Sequence, residues 1–306
     1  MMKKNNVYGI IGIGVKNSNY NAGFDKFPKT NGDYIYASPQ SFCFAIREQL
    51  NNEGKKVLFR KTTKEDGNVN GLSERYYNLF KTEDVKKDVE SLKRNLLNAD
   101  DIKLFGCVYP GASNFSVVGA VQIGYGFNKY ENTNIIKDIV LSPFANNKNG
   151  EKSASTMGEV IITDKAHYLH SFTINPFVYN EYIMEGFEGF TEEDYQMFKS
   201  ASLIAVSNLN TRSKFGCQNE FGLFVEMKDE VKNLINLNGL DEYVKVYDDE
   251  ESEKVVYDLE QLKRILITVR DKVKSIEIYY NPYTLKIKGL DKLEAKTFNI
   301  ITREEI

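Results

Sequence analysis

NSNYNAGFDKFPKTNGDYIYASPQSFCFAIR, residues 17–47, joins a strand to a helix through a loop far more polar than its surroundings. Before it, VYGIIGIGV (7–15) is a β-branched run with three glycines and reads as a buried strand. After it, Ser38 followed by Pro39 marks a helix start: a hydroxyl N-cap with proline at the first helical position. The helix is expected to run to about Leu50, with Phe42, Cys43, Ile46 and Leu50 on its packing face. Gln40, Phe44 and Arg47 recur at i, i+4, i+7. They form either a solvated edge or a row that offers an amide, a ring and a guanidinium to a ligand. Binding residues concentrate in loops on rigid scaffolds, so this loop and the helix after it are expected to grip a polyanion.

The 306 residues suffice for one large domain or a core with insertions, and the apolar fraction of 42% is that of a folded protein. A net charge of −3 argues against a simple nucleic-acid binder. The charge is uneven, however: Lys3, Lys4, Lys16, Lys26 and Lys29 face only Asp25 in the first thirty residues, while YDDEESEK (247–254) holds five acids. A basic surface inside an acidic average follows. Cys43, Cys107 and Cys217 lack C-x-x-C spacing, which fits reduced thiols and no zinc site. No apolar run reaches about 18 residues and the N-terminus lacks a signal-peptide core, so the expectation is a cytoplasmic protein with no membrane partner.

Along the rest of the chain, KKVLFRK (55–61) reads as a short edge strand and 61–74 as an exposed insertion. A helix is expected over Glu83–Asn98, a strand over DIKLFGCVYPG (101–111), and bent, glycine-bearing strands over 111–128. A polar excursion over 129–160 then leaves one strand and returns to another, GEVIITD (158–164). It carries an apolar cluster, Ile139 to Phe144, that either folds back or touches a partner, a ligand or a neighbouring copy. AHYLHSFTINPFVY (166–179) is a further strand, and T-E-E-D at Thr191 is a capping box opening a helix to about Ala205. A polar segment (207–220) with Arg212 and Lys214 precedes the strand FGLFVEMK (221–228). A helix (258–273) and two strands (275–280, 284–290) close the chain. Strand–helix–strand twice over fits an α+β ferredoxin-like or RRM-like core.

Catalytic patterns are sparse. His167 and His170, three apart on a strand, point to opposite faces and make a poor metal pair. There is no G-x-S-x-G, P-loop or H-E-x-x-H, and no cofactor is implied. Asp25 is either a solvated loop acid or a group that helps a 2′-hydroxyl attack its phosphate.

Taken in order, a set of short motifs resembles the crRNA-binding backbone subunit of CRISPR Cascade in the RAMP superfamily, closest to its type I-B members. The set is N-x-N (19–21), P-K (28–29), Y-A-S-P-Q-S-x-x-x-A-I-R (36–47), D-I-K-L-F-G (101–106), G-A-V-Q-I (119–123), S-T-M-G-E (155–159) and N-T-R-S-K-x-G-x-x-N (210–219). The resemblance implies an RRM-like palm from residues 1–128 and 161–228 with an insertion at about 61–98. It implies a β-hairpin thumb over 129–160 and a C-terminal extension over 229–306 packing on the palm. It also implies a head-to-tail homo-oligomer along crRNA, with other Cascade subunits and target DNA as partners, and no nuclease activity. The alternative within the superfamily is an endoribonuclease cutting target RNA through Asp25. The RNA contacts implied are Asn19, Asn21, Lys26, Lys29, Ser38, Gln40, Phe44, Arg47, Arg212 and Lys214. Ile139, Val140, Leu141, Phe144 and Met157 would form a wedge on the thumb that unstacks a base.

Overall fold

The computed structural model describes residues 1–82, 88–110, 115–142 and 156–306. From the N-terminus, β1 (Val7–Ser18) leads through the polar loop to β2 (Thr30–Asn31), β3 (Tyr34–Ala37) and helix α1 (Pro39–Asn52). Helices α2 (Leu72–Phe80), α3 (Val89–Leu97) and α4 (Asp100–Phe105) precede a small antiparallel pair, β4 (Gly106–Tyr109) and β5 (Phe115–Val118). Then come β6 (Val121–Asn128), β7 (Ile135–Ser142), β8 (Thr156–Ile174), α5 (Asn180–Met184), α6 (Glu192–Ser202) and β9 (Cys217–Met227). The C-terminal part holds β10 (Lys245–Asp248), β11 (Val255–Asp258), α7 (Glu260–Thr268), β12 (Val273–Tyr280), β13 (Leu285–Lys288) and β14 (Lys296–Asn299).

Among the described residues, the central sheet runs β14-β12-β9-β1-β8-β6-β3-β2. Its middle four strands, β9-β1-β8-β6, are antiparallel at every step, with α1 and α6 in the two crossovers. β8 belongs first to a projecting ribbon and then to the sheet. From Ile174 back to Thr163 it pairs with β1, and from Thr163 to Thr156 it pairs with β7, so β7 and the start of β8 leave the sheet as a two-stranded ribbon.

Alternation along β1 puts a core on each face. Val7, Ile11 and Val15 join Phe42, Ile46 and Phe198 under α1 and α6, while Tyr8 and Ile10 join Leu223, Tyr257 and Leu262 of the C-terminal layer. The glycines of β1 answer to close neighbours. A Cβ on Gly9 would fall 2.1 Å from the Leu223 carbonyl, and one on Gly14 2.2 Å from the Glu220 carboxylate. The Thr191 capping box forms as expected, its hydroxyl accepting from the Asp194 N–H at 3.1 Å while Asp194 accepts from the Thr191 N–H at 2.8 Å. No helix among the described residues is long and apolar enough to cross a membrane.

Several elements depart from expectation. KKVLFRK is not a strand: two carboxylates take the place of a ladder. Asp100 accepts from the Lys56 N–H at 2.6 Å, and Asp101 accepts from Leu58 and Phe59 at 2.8 and 2.9 Å. Those carboxylates come from α4: Asp100 and the first half of DIKLFGCVYPG are helical rather than extended, and only Gly106–Tyr109 is a strand. The acids at the N-terminus of that turn suit a helix start better than a sheet. Leu72–Phe80 is a helix that begins at the end of the region read as an exposed insertion (61–74) and runs on beyond it. The expected helix at 83–98 is seen over Val89–Leu97, and residues 83–87 lie outside the described residues. Ser38 occupies the N-cap position, yet its hydroxyl makes no capping bond. Asn21 instead accepts from its N–H at 2.9 Å, and its carbonyl accepts from the Ser41 hydroxyl at 2.6 Å.

Candidate nucleic-acid interface

The loop after β1 is a built object. Gly23 donates to the Phe27 carbonyl at 2.8 Å, and the Asp25 carboxylate accepts from the Phe27 N–H at 3.1 Å. Between them Lys26 adopts φ +69°, a left-handed conformation uncommon outside glycine. Asn19 is buried and donates to the carbonyls of Lys26 and of Ile161 in β8, which pins the turn to the base of the ribbon. From the other side, Ser18 donates to the Ser213 carbonyl at 2.7 Å, and Lys214 donates to the carbonyls of Asn19 (2.8 Å) and Tyr20. Burial pushes the Lys214 ammonium below the usual lysine range. The loop, the 207–216 segment, the start of α1 and the ribbon base therefore meet at one end of the sheet.

Of the residues expected to touch RNA, this geometry splits supports from free groups. Asn19, Asn21, Ser38 and Lys214 hold the loop in shape. Lys26, Gln40, Phe44 and Arg212 stand exposed, and Lys29 is half-buried. Among the described residues no ion pair engages Lys16, Lys26, Lys29 or Arg212. Glu159 on the ribbon lies below the usual carboxylate range, chiefly through its hydrogen bond to Lys137 and to a smaller degree through Lys26. Loop and ribbon thus feel each other's charge.

Arg47 corrects the stripe reading. Its Nε bonds the Asp101 carboxylate at 3.2 Å, its guanidinium sits 5.1 Å from the Phe105 ring centroid, and its side chain is only 18% exposed. It braces α1 against α4 rather than facing the loop. The two histidines do point to opposite faces. His170 stacks on Phe42 and burial lowers it to about 4, while His167 meets Glu220 at 2.5 Å on the C-terminal side. Asp25 is exposed, with one oxygen committed to its own turn.

On the ribbon, Ile139 is 59% exposed and Val140 partly so. Leu141 and Met157 lie on its strands, where they pair in register, and Phe144 lies outside the described residues. Sequence reasoning missed Phe24, Phe27 and Phe215, all exposed beside the loop cations. The signal was available in GFDKF and SKFG, where a phenylalanine is set among turn-formers and lysine with no apolar periodicity to bury it.

These features describe a mixed α/β protein with a central sheet that presents, among the described residues, cations without ion pairs and exposed rings beside a projecting ribbon. The same fold occurs in a chain titled "CRISPR RNA-guided surveillance complex, pre-nicking", which matches with a TM-score of 0.56 and 12% identity over 96% of both chains. A chain of another CRISPR RNA-guided surveillance complex aligns at 0.49 and 12% identity, over 90% of this chain and 88% of that one. Residues 5–268 match the family model CRISPR-associated protein Cas7, and the chain belongs to that family. No curated protein matches it.

Proposed function

We propose that this chain is a non-catalytic backbone subunit of a Cascade-type CRISPR complex, which polymerises head to tail along crRNA and supports pairing of the guide with target DNA. Family membership supports the CRISPR role and does not favour the Asp25 nuclease. The observation that carries RNA binding is the set of cations Lys16, Lys26, Lys29 and Arg212, without ion pairs among the described residues, around a rigid loop, with the exposed rings of Phe24, Phe27 and Phe215 placed to stack on bases. Phosphate contacts by lysine and arginine, joined to stacking on phenyl rings, capture single-stranded RNA without reading its sequence. In complexes of this kind specificity resides in base pairing. The strand order β9-β1-β8-β6 supports treating residues 1–128 and 161–228 as an RRM-like palm, and the β7–β8 ribbon supports treating 129–160 as its thumb.

A nuclease footprint of the protein on guide-length RNA tests the whole reading. Protection should recur at a fixed interval. Serine at both Ile136 and Ile139, exposed on the ribbon, should leave the monomer's melting temperature unchanged while erasing that interval. Uniform protection or none by the wild type would overturn periodic assembly.

A further inference from the structure

Among the described residues, nothing covers one part of the sheet. The C-terminal layer packs over β9, β1 and β8 through Leu223, Tyr8 and Leu169, but stops short of β6 and β3. The direction of the residues left bare follows from Gly126. A Cβ there would strike the His170 ring at 2.4 Å, on the α1 side, so the next residue, Phe127, which stands opposite Leu169 of the C-terminal layer's core, faces the C-terminal side. Tyr36 stands opposite Phe127 in register and meets Tyr125 edge-on at 5.5 Å. Tyr125 is 53% and Tyr34 67% exposed. Cavities of about 680 and 600 Å³ share Phe127 and Lys129, and a third of about 290 Å³ shares Phe127 and Tyr125. Together they make one aromatic-floored groove.

The rim of the groove is acidic: Asp33, Glu131, Asp241 and Glu242 line it against one lysine, Lys129, which Asp241 already pairs at 3.1 Å. Such a rim repels phosphate, while carboxylates beside tyrosine faces attract lysine and arginine. The groove also lies at an open sheet edge. At the opposite edge the chain's own tail closes β14, with Ile306 donating to the Thr297 carbonyl at 2.9 Å, whereas among the described residues nothing pairs beyond β2. Elsewhere the same chain carries cations without ion pairs among the described residues, and exposed isoleucines at Ile135, Ile136 and Ile139. Opposite charges on one chain, together with an unsealed edge, suit a heterologous contact that repeats from copy to copy.

We infer that the aromatic groove along β3 and β6 is the surface on which a second copy of this chain seats, through an apolar segment that bears lysine or arginine. This rests on the head-to-tail assembly proposed above and names the face that one copy offers to the next. The two tests separate. Binding to an RNA too short for two copies reports the loop, and sedimentation on a long RNA reports the groove.

The double variant Tyr34→Ser/Tyr125→Ser changes only exposed rings, and Asp33→Lys/Glu131→Lys reverses the rim. Each should weaken self-association on long RNA by about 10-fold or more, with short-RNA affinity and melting temperature held by the serine pair. Mixed in small amounts with wild type, either variant should shorten the assemblies, because a copy that can be seated but cannot seat its neighbour ends the chain. Unchanged self-association would overturn the groove assignment. A fall in short-RNA affinity with the serine pair would overturn it too, by making the groove an RNA surface. Wild-type protein that binds short RNA yet never associates on long RNA would overturn the assembly reading itself.

Discussion

The two halves of α1 share one helical stripe and do opposite things. Near its N-terminus Gln40 and Phe44 stand free beside the loop, Phe44 with half its surface exposed. One turn further on, Arg47 turns in to a carboxylate with no exposed surface at all. Helical periodicity fixes where a Cβ points; it does not fix the end of a long side chain. Asp101 already accepts the Leu58 and Phe59 N–H groups, and the Arg47 guanidinium supplies the charge that its burial requires. A basic residue on the expected face is therefore no guide to RNA contact until the nearest carboxylate is known.

The largest expected effect breaks the inner half. Arg47→Ala or Asp101→Ala leaves a buried charged group without its partner and should cost about 3–5 kcal/mol in urea unfolding. The folded fraction of Arg47→Ala should keep its affinity for a short RNA. Lost affinity at unchanged stability would return Arg47 to the interface and dissolve the contrast between the two halves.

A smaller effect, of the opposite kind, belongs to the outer rim. The triple variant Lys26→Ala/Lys29→Ala/Arg212→Ala removes no ion pair found among the described residues and should shift stability by less than about 0.5 kcal/mol. Its affinity for short RNA should fall about 10- to 100-fold, and the slope of log affinity against log salt should flatten by roughly 2, as three lost phosphate contacts on a single strand require. The loss should be equal for unrelated guide sequences. A loss confined to one base composition would mean that these side chains read bases.

How much of this was legible before the fold was known depends on whether a local signal sufficed. β1, the Pro39 start of α1, the Thr191 capping box and the excursion that becomes the ribbon were readable, because strand periodicity, proline at the first helical turn and a reciprocal cap are properties of adjacent residues. Residues 55–61 and 100–105 were not, because each decided the other: the first has carboxylates in place of a ladder, and the second supplies them from some forty positions away. The site divides in the same way. The exposure of Lys26, Gln40 and Arg212 was readable from local polarity, whereas Lys214, Asn19 and Asn21 became supports through partners outside their own turns. Polarity alone does not tell a loop's frame from its ligands.

The smallest effect is expected at Asp25, which decides whether the rim is a grip or a catalyst. Its Oδ1 accepts the Phe27 N–H at 3.1 Å and so helps to shape the turn that presents Lys26. General-base catalysis needs an acid held within hydrogen-bond reach of a 2′-hydroxyl and usually tuned by a neighbouring charge or by burial. This carboxyl is exposed, and no second acid lies between β1 and β2. Asp25→Ala should therefore leave matched target RNA as uncut as the wild type leaves it. Removing one negative charge beside Lys26 and Lys29 should instead tighten short-RNA binding slightly, by less than about 3-fold, an effect that fades as salt rises. Cleavage at a regular spacing by the wild-type complex, lost in Asp25→Ala, would make this loop an active site. The exposed cations would then position a scissile phosphate rather than simply hold a strand.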